Sequence, residues 1–432
     1  MKTVKRAVFM MFVLSLALLT ACGGKQETSP SGGGSNAAPN TKSDAQNSSA
    51  AQVKIEYFQM KNEVVDVVNR LIEKFESEHP GIDVEQNNVP NPENVWSIRL
   101  STNDAPDVFT HYPHNAVFRE LVREGRVVDL TQDPLLANIN PAIVDLSQID
   151  GKNYLVPIAL ATMGVYYNVD LFHELHLDIP QTYDELIQTA EKLKAAGYTP
   201  FYFHDKDWNG IRQEVVFKMG MELDNISEFL DDVMNGNKHI TEHPQIRALA
   251  ERILQLREYG QQDSLGTGYE DALREFANGK GAMWFTGIWA IPSIQDANPN
   301  LNFSMFPFPA LNAEDTKLQV TVDTAIGLPA GGKNEEAART FVEFMAAPEN
   351  VQVYVDAGKY PAAVQGVQNN VPEMAKLSEL IDAGKVYPTI MSVWPPGVAE
   401  EVGKATQEMF ANGDIDSYLQ NLDAIFYNRY NQ

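Results

Sequence analysis

Residues 53–86 read strand, helix, strand, and that order constrains the fold more than any other feature of the chain. "VKIEYF" (Val53 to Phe58) alternates polar and apolar with period two, as a half-buried strand does. "EVVDVVNRLIEKFESEHPG" then places Val64, Val68, Leu71, Ile72 and Phe75 on one helical face and stops at Pro80-Gly81. "IDVEQ" (Ile82 to Gln86) is a second short strand. Strands separated by a helix open a parallel sheet, so the chain is expected to be an α/β protein. Later segments repeat these signals. Thr182 and Glu185 have capping-box spacing, with Gly197 at the helix stop. Lys280 to Gly287 reads as a buried strand. A further helix follows from Glu335, with Asn334 as its expected N-cap and Pro348 beyond its end.

The N-terminus carries a different message. Lys2, Lys5 and Arg6 precede an apolar run from Ala7 to Leu19, which is too short for the roughly 20 residues a finished membrane span needs. A basic start, a short apolar centre and small residues after it make a secretory signal over residues 1–21. The only cysteine follows at once, and Leu19-Thr20-Ala21-Cys22 resembles the lipobox of bacterial lipoproteins. That resemblance implies cleavage before Cys22 and a diacylglycerol on its thiol, a lipid anchor on the outer face of the cell membrane. Residues 22–51 are then Gly, Ser, Asn, Thr, Ala and Gln with almost no large apolar side chain, the composition of a flexible tether. With Cys22 used for lipid no disulfide is available, so the body must stand on its own core. Lipobox, tether and lack of disulfides together point to a Gram-positive surface.

Charge excludes one class of partner. Lys and Arg number 33 against 58 Asp and Glu, a net charge of −25, and the basic residues are scattered. Nucleic-acid binding needs a clustered positive footprint. A peripheral grip on anionic lipid is excluded on the same ground, leaving the lipid anchor as the membrane contact.

Five stretches carry a wider resemblance: "APDVF" (Ala105 to Phe109), "LVPIALATMGVYYNVDLF" (Leu155 to Phe172), "ELIQTAEKLKAAGYTPF" (Glu185 to Phe201), "FANGKGAMWFTGIWA" (Phe276 to Ala290) and "EEAARTFVEFMAAPENVQ" (Glu335 to Gln352). In this order they resemble the extracellular solute-binding proteins of bacterial ABC sugar importers, the family of maltose-binding protein. The resemblance implies a two-lobed periplasmic-binding-protein-like fold with a hinged interdomain cleft. Lobe one would take residues 52–160 and 324–364, and lobe two residues 161–322 and 365–432. It also implies a monomer that captures a mono- or oligosaccharide, passes it to the transmembrane subunits of an ABC permease, and uses no cofactor or metal.

A sugar offers apolar C–H faces and a hydroxyl rim, so its site needs aromatic surfaces and polar groups together. Trp289 in "TGIWA" matches the family's main stacking tryptophan, whereas Trp284, inside the strand, reads as core, as does Trp96. Trp394 lies in the Pro-rich "YPTIMSVWPPG" and reads as a pocket wall. Trp208 in "HDKDWNG" combines a ring with acceptors such as Asp207. "QMKNE" contributes Lys61 and Asn62, and "THYPHN" contributes His111, Tyr112, His114 and Asn115, where the family carries an aromatic and an acid. Thr162 and Asp323 fall at expected crossings between lobes, while Asp107 reads as a structural acid. Ala161 stands where the best-studied family member has a glutamate, which removes one acceptor and casts doubt on maltose as the ligand.

Catalytic readings find little. "HELH" (His173 to His176) lacks the spacing of the H-E-x-x-H zinc motif, and His111 with His114 has no acidic or cysteine companions at ligand spacing. G-x-S-x-G, P-loop and G-x-G-x-x-G motifs are absent from the sequence. A pair of carboxylates for glycoside hydrolysis is not testable by spacing. A secreted glycosidase, a binding protein for a non-sugar solute and a surface sensor or adhesin therefore stand as alternatives.

Overall fold

A computed structural model describes residues 52–89, 92–102 and 104–430. The signal, Cys22 and the tether lie outside the described residues.

The chain opens as its hydrophobic pattern requires. Strand β1 (Val53–Phe58) pairs in parallel with β2 (Ile82–Asn87), and between them the helix Val65–Glu78 buries Val68, Leu71, Ile72 and Phe75. Strand β3 (Val108–His111) joins the other edge of β1, again parallel. Asp107 fixes this junction: its carboxylate accepts from the Glu56 backbone N–H at 2.9 Å and from Asn334 Nδ2 at 3.1 Å. Asn334 thus ties a loop to the sheet rather than capping its own helix by its side chain, a role its neighbours in sequence do not reveal.

Two further strands complete the first sheet. β4 (Val156–Ala161) is followed, after the single residue Thr162, by β5 (Met163–Asn168), which belongs to a second sheet. That second sheet contains β6 (Thr199–Phe201), β7 (Gly281–Gly287) and β8 (Phe303–Phe306), in the order β6-β7-β5-β8. The chain then forms β9 (Leu318–Gln319) and returns, after Val320, as β10 (Thr321–Gly327). This last strand inserts antiparallel between β3 and β4, so the first sheet runs β2-β1-β3-β10-β4. A final crossing lies between Val364, bridged to Ile139, and the helix Ala375–Asp382, which packs on β8. Beyond it, β11 (Val386–Tyr387) pairs in parallel with β9.

The expected α/β architecture is therefore present as two main sheets linked by crossing segments, with β9 and β11 forming a small two-stranded sheet beside them. Apolar burial supplies the stability: Tyr57, Phe75 and Phe341 meet edge-on at 5.1–5.2 Å under the first sheet. A separate apolar cluster holds the helices Trp208–Glu222, Ile226–Met234, Pro244–Arg257, Val398–Asn412 and Ile415–Tyr430 together. That helical group carries one wall of the site described next.

Candidate functional site

At the end of the second sheet is a cavity of about 450 Å³, walled by Trp208, Trp289, Tyr269 and His204 with Asp207 and Gln213. Two segments build most of it. β7 is buried along its whole length and delivers Thr286 and then Trp289, the residue before the helix Ala290–Ala297. Gly287 makes this turn possible, because a Cβ there would lie 2.0 Å from the Trp289 ring. G287A should therefore displace the indole, shift the tryptophan emission of the free protein and cost about 1–3 kcal/mol in urea unfolding.

The other segment runs from His204 to Gly210 and includes the start of the helix Trp208–Glu222. Asp207 accepts from the Tyr269 backbone N–H at 2.6 Å, fastening this loop to the next helix in the wall. His204 accepts from the Trp284 indole N–H through Nδ1 at 3.1 Å. Burial holds its imidazole below the usual range against the opposing pull of Asp205 and Asp207. A neutral ring that accepts at Nδ1 carries its proton on Nε2 and offers a donor there. Burial likewise raises the Tyr269 hydroxyl, with Glu270 and Glu63 adding to the shift, so it stays a neutral donor and acceptor.

Facing this wall are side chains from the ends of the first sheet's strands. β10 carries an irregularity at Asp323, between Val322 paired with Leu160 and Thr324 paired with Ala159. Such an extra residue re-aims a side chain. Here the Asp323 carboxylate meets Lys61 Nζ at 2.7 Å, with side-chain exposures of 7% and 12%. Burial opposes the Lys61 charge, but Asp323, Tyr112 and Glu63 outweigh it and hold the ammonium well above its usual range. The same ammonium lies over the Tyr112 ring at 5.2 Å, and the Tyr360 hydroxyl donates to Glu63 at 2.5 Å. Glu63 acts electrostatically on Tyr269, and Arg212 on the helix Trp208–Glu222 acts on His114, so the two groups of side chains lie within electrostatic reach of each other.

The sequence-derived candidates divide accordingly. Trp289, Trp208 and Asp207 share the cavity, while Lys61, Asp323, Tyr112 and His114 gather opposite it. Asn62 is exposed at the start of the turn Asn62–Val64. Asn115 caps the helix Ala116–Arg123, accepting from the Phe118 N–H at 3.0 Å. Thr162 is buried at the crossing between the sheets, where its carbonyl accepts from the Ile288 N–H at 3.1 Å.

Two placements differ from the reading of the sequence. Trp394 is not brought to this cavity. It is 4% exposed and packs edge-on against Phe426 at 5.2 Å, because its Pro-rich loop docks inside the helical cluster. His111 is turned into the core, where its ring lies 4.7 Å from Phe118 and 4.3 Å from Trp96. Its Nδ1 accepts from the Tyr112 N–H at 2.8 Å. Tyr269, His204 and Tyr360 were not singled out from the sequence. "GTG" before Tyr269 reads only as a loop, and nothing local marks the other two.

Two histidines, His111 buried and His114 half-buried, set a pH dependence. Burial brings His111 down to about 3, and burial with Arg212, Lys61 and Arg119 brings His114 to about 3. Both lie below the unfolded value near 6.5, so the unfolded chain takes up protons first. Their contribution to stability is complete above pH ~6.5 and is lost as pH falls towards ~3. Urea midpoints should fall between pH 7 and pH 4, with a shallower fall in the double variant H111F/H114N.

Two α/β sheets joined by crossing segments, with an aromatic cavity on one side and a polar cluster facing it, define a cleft receptor for a small solute. A model of the bacterial extracellular solute-binding proteins matches residues 61–352, and the chain belongs to that family. It is accordingly a binding protein and not an enzyme. Among curated relatives, the multiple sugar-binding protein of Streptococcus mutans is 30% identical over 360 residues, 82% of this chain and 85% of that protein. The melibiose/raffinose/stachyose-binding protein MelE of Bacillus subtilis is 24% identical over 356 residues, covering 80% and 82%. Among solved structures, the solute-binding protein RafE in complex with raffinose superposes with a TM-score of 0.78 at 26% identity, over 88% of this chain and 100% of that one. The apo form of RafE from Streptococcus pneumoniae gives 0.76 at 26% identity, over 88% and 98%. The two-lobed fold expected from the sequence is thereby shown. No helix among the described residues is long and apolar enough to cross a membrane.

Proposed function

We propose that this chain is the lipid-anchored receptor of an ABC importer, held through Cys22 and a flexible tether, which captures a soluble oligosaccharide and hands it to the permease. The observation that carries the sugar reading is the cavity in which Trp208 and Trp289 stand beside Asp207, His204 and Tyr269. Flat rings there offer surface to pyranose C–H faces, and the carboxylate, imidazole and phenol are placed for a hydroxyl rim. Its volume falls in the range of small-molecule sites. Similarity to a multiple sugar-binding protein and to RafE, described with raffinose, supports an oligosaccharide of the raffinose kind.

The lobes take residues 52–160 with 324–364, and residues 161–322 with 365–432, and the crossings near Thr162, Val320 and Val364 act as hinges. Ligand favours the closed form because it touches both walls there, and closure is what the permease reads. Binding and closure complete the mechanism, and no bond in the sugar is made or broken.

The test is a thermal-shift panel on residues 48–432. Melibiose, raffinose, stachyose, maltose and monosaccharides are compared, and each sugar is chromatographed afterwards. A ligand present at about 100 times its Kd stabilises the fold by about 2.7 kcal/mol. A raised melting temperature with raffinose or stachyose, with the sugar recovered intact, is the expected result. No shift with any sugar would remove the sugar reading.

A further inference from the structure

Six of the ten residues lining the cavity come from the single stretch His204–Gly210, so the shape of the site depends on what holds that stretch. The hold comes from behind. Asp205 sits in the middle of the loop at 2% exposure, and its carboxylate takes Arg257 Nη2 at 2.7 Å and Nε at 3.2 Å. The same guanidinium reaches Glu214 through Nη1 at 2.9 Å and Nη2 at 2.7 Å, and Glu214 pairs in turn with Lys218. Phe203 and Phe410 flank Arg257, with its central carbon 4.1 and 4.0 Å from the ring centroids. Gln407 Nε2 donates to the Asp205 and Lys206 carbonyls, both at 2.9 Å.

Asp205, Glu214, Lys218 and Arg257 are all nine-tenths buried or more by side chain, and none of them lines the cavity. Burying such charges costs several kcal/mol each and is often no better for stability than apolar packing. A planar fork stacked between two rings does supply a fixed direction, which apolar packing does not. Arg257 ends the helix Pro244–Arg257, and Gln407 lies on the helix Val398–Asn412, so both anchors belong to the helical cluster.

We propose that Arg257 is a positioning residue for solute binding: with Gln407 it locks the His204–Trp208 loop to the helical cluster and so presets the wall formed by His204, Asp207 and Trp208. The proposal rests on the reading of that cavity as the solute site. A preset wall saves the ordering cost of binding, so its loss appears as weaker affinity and faster release.

The test compares R257M, R257K and Q407A with L230A, a cavity variant in the helical cluster away from the loop. Hydrogen exchange is read on peptides covering residues 203–212 and, as an internal control, residues 415–430, without ligand. Raffinose affinity is then measured by calorimetry. R257M should speed exchange in 203–212 by about tenfold or more, the weight of one lost hydrogen bond to a charged group. Exchange in 415–430 should not follow, and raffinose affinity should fall by a similar factor. R257K, which keeps the charge but loses the fork, and Q407A, which strands no charge, should show the same local effect at smaller size. Either of them decides the matter if R257M does not fold. L230A should lower stability and leave both the loop and the affinity unchanged. Wild-type exchange in 203–212 for R257K and Q407A would overturn the proposal. If the unmutated protein binds no raffinose, the sugar reading fails separately, and the exchange data still judge the clamp.

Discussion

Replacing Trp289 with alanine is expected to weaken oligosaccharide binding by about 2–4 kcal/mol, roughly 30- to 1,000-fold, the usual cost of truncating a central aromatic anchor. The ring is half-buried before ligand arrives, standing at the start of a helix directly after a wholly buried strand. Its position therefore comes ready-made, and its exposed part is available for stacking. W208A should lose a comparable amount, because that ring stands on the same cavity at the head of another helix. Trp289 packs against the core from its half-buried side, so W289A should lower the melting temperature without ligand modestly, and W208A less. Calorimetric titration with raffinose reads the effect directly. Wild-type affinity in W289A would mean that the sugar binds elsewhere.

K61M is expected to give the largest loss of stability, about 3–5 kcal/mol, because it leaves a buried carboxylate without its partner. Among the described residues, the hydrogen bond that remains to the Asp323 carboxylate is a 3.3 Å one from the Thr324 hydroxyl, itself shared with Tyr354. The double variant K61M/D323L should recover much of that loss, since it leaves no charge unpaired. Urea unfolding of the four proteins of the cycle gives the coupling energy. A K61M protein as stable as the wild type would show that water reaches Asp323 freely.

Much of the architecture was legible because it rests on local rules. The β1–helix–β2 opening follows from periodicity and a Pro-Gly stop, and Thr182 caps its helix by accepting from the Glu185 N–H. Trp289 was legible because it follows a buried strand and matches the stacking tryptophan of the family that the sequence resembles. The candidates that the structure places away from the cavity, and the cavity residues that the sequence did not mark, are those that depend on distant partners. Trp394 lies among prolines, and composition does not say that its loop packs against Phe426. His111 ends a strand whose four residues are all buried, so alternation offers no outward side to choose. Tyr269 and His204 enter the site through Asp207 and Trp284, contacts 62 and 80 residues apart in sequence.

The most direct single measurement is a crystal structure of residues 48–432 grown with raffinose. A sugar ring lying against Trp289 and Trp208, with hydroxyls on Asp207, His204 or Tyr269 and the opposite wall closed over it, is the predicted result. Raffinose bound away from both tryptophans, or an empty cavity at saturating sugar, would contradict the assignment of this cleft as the sugar site.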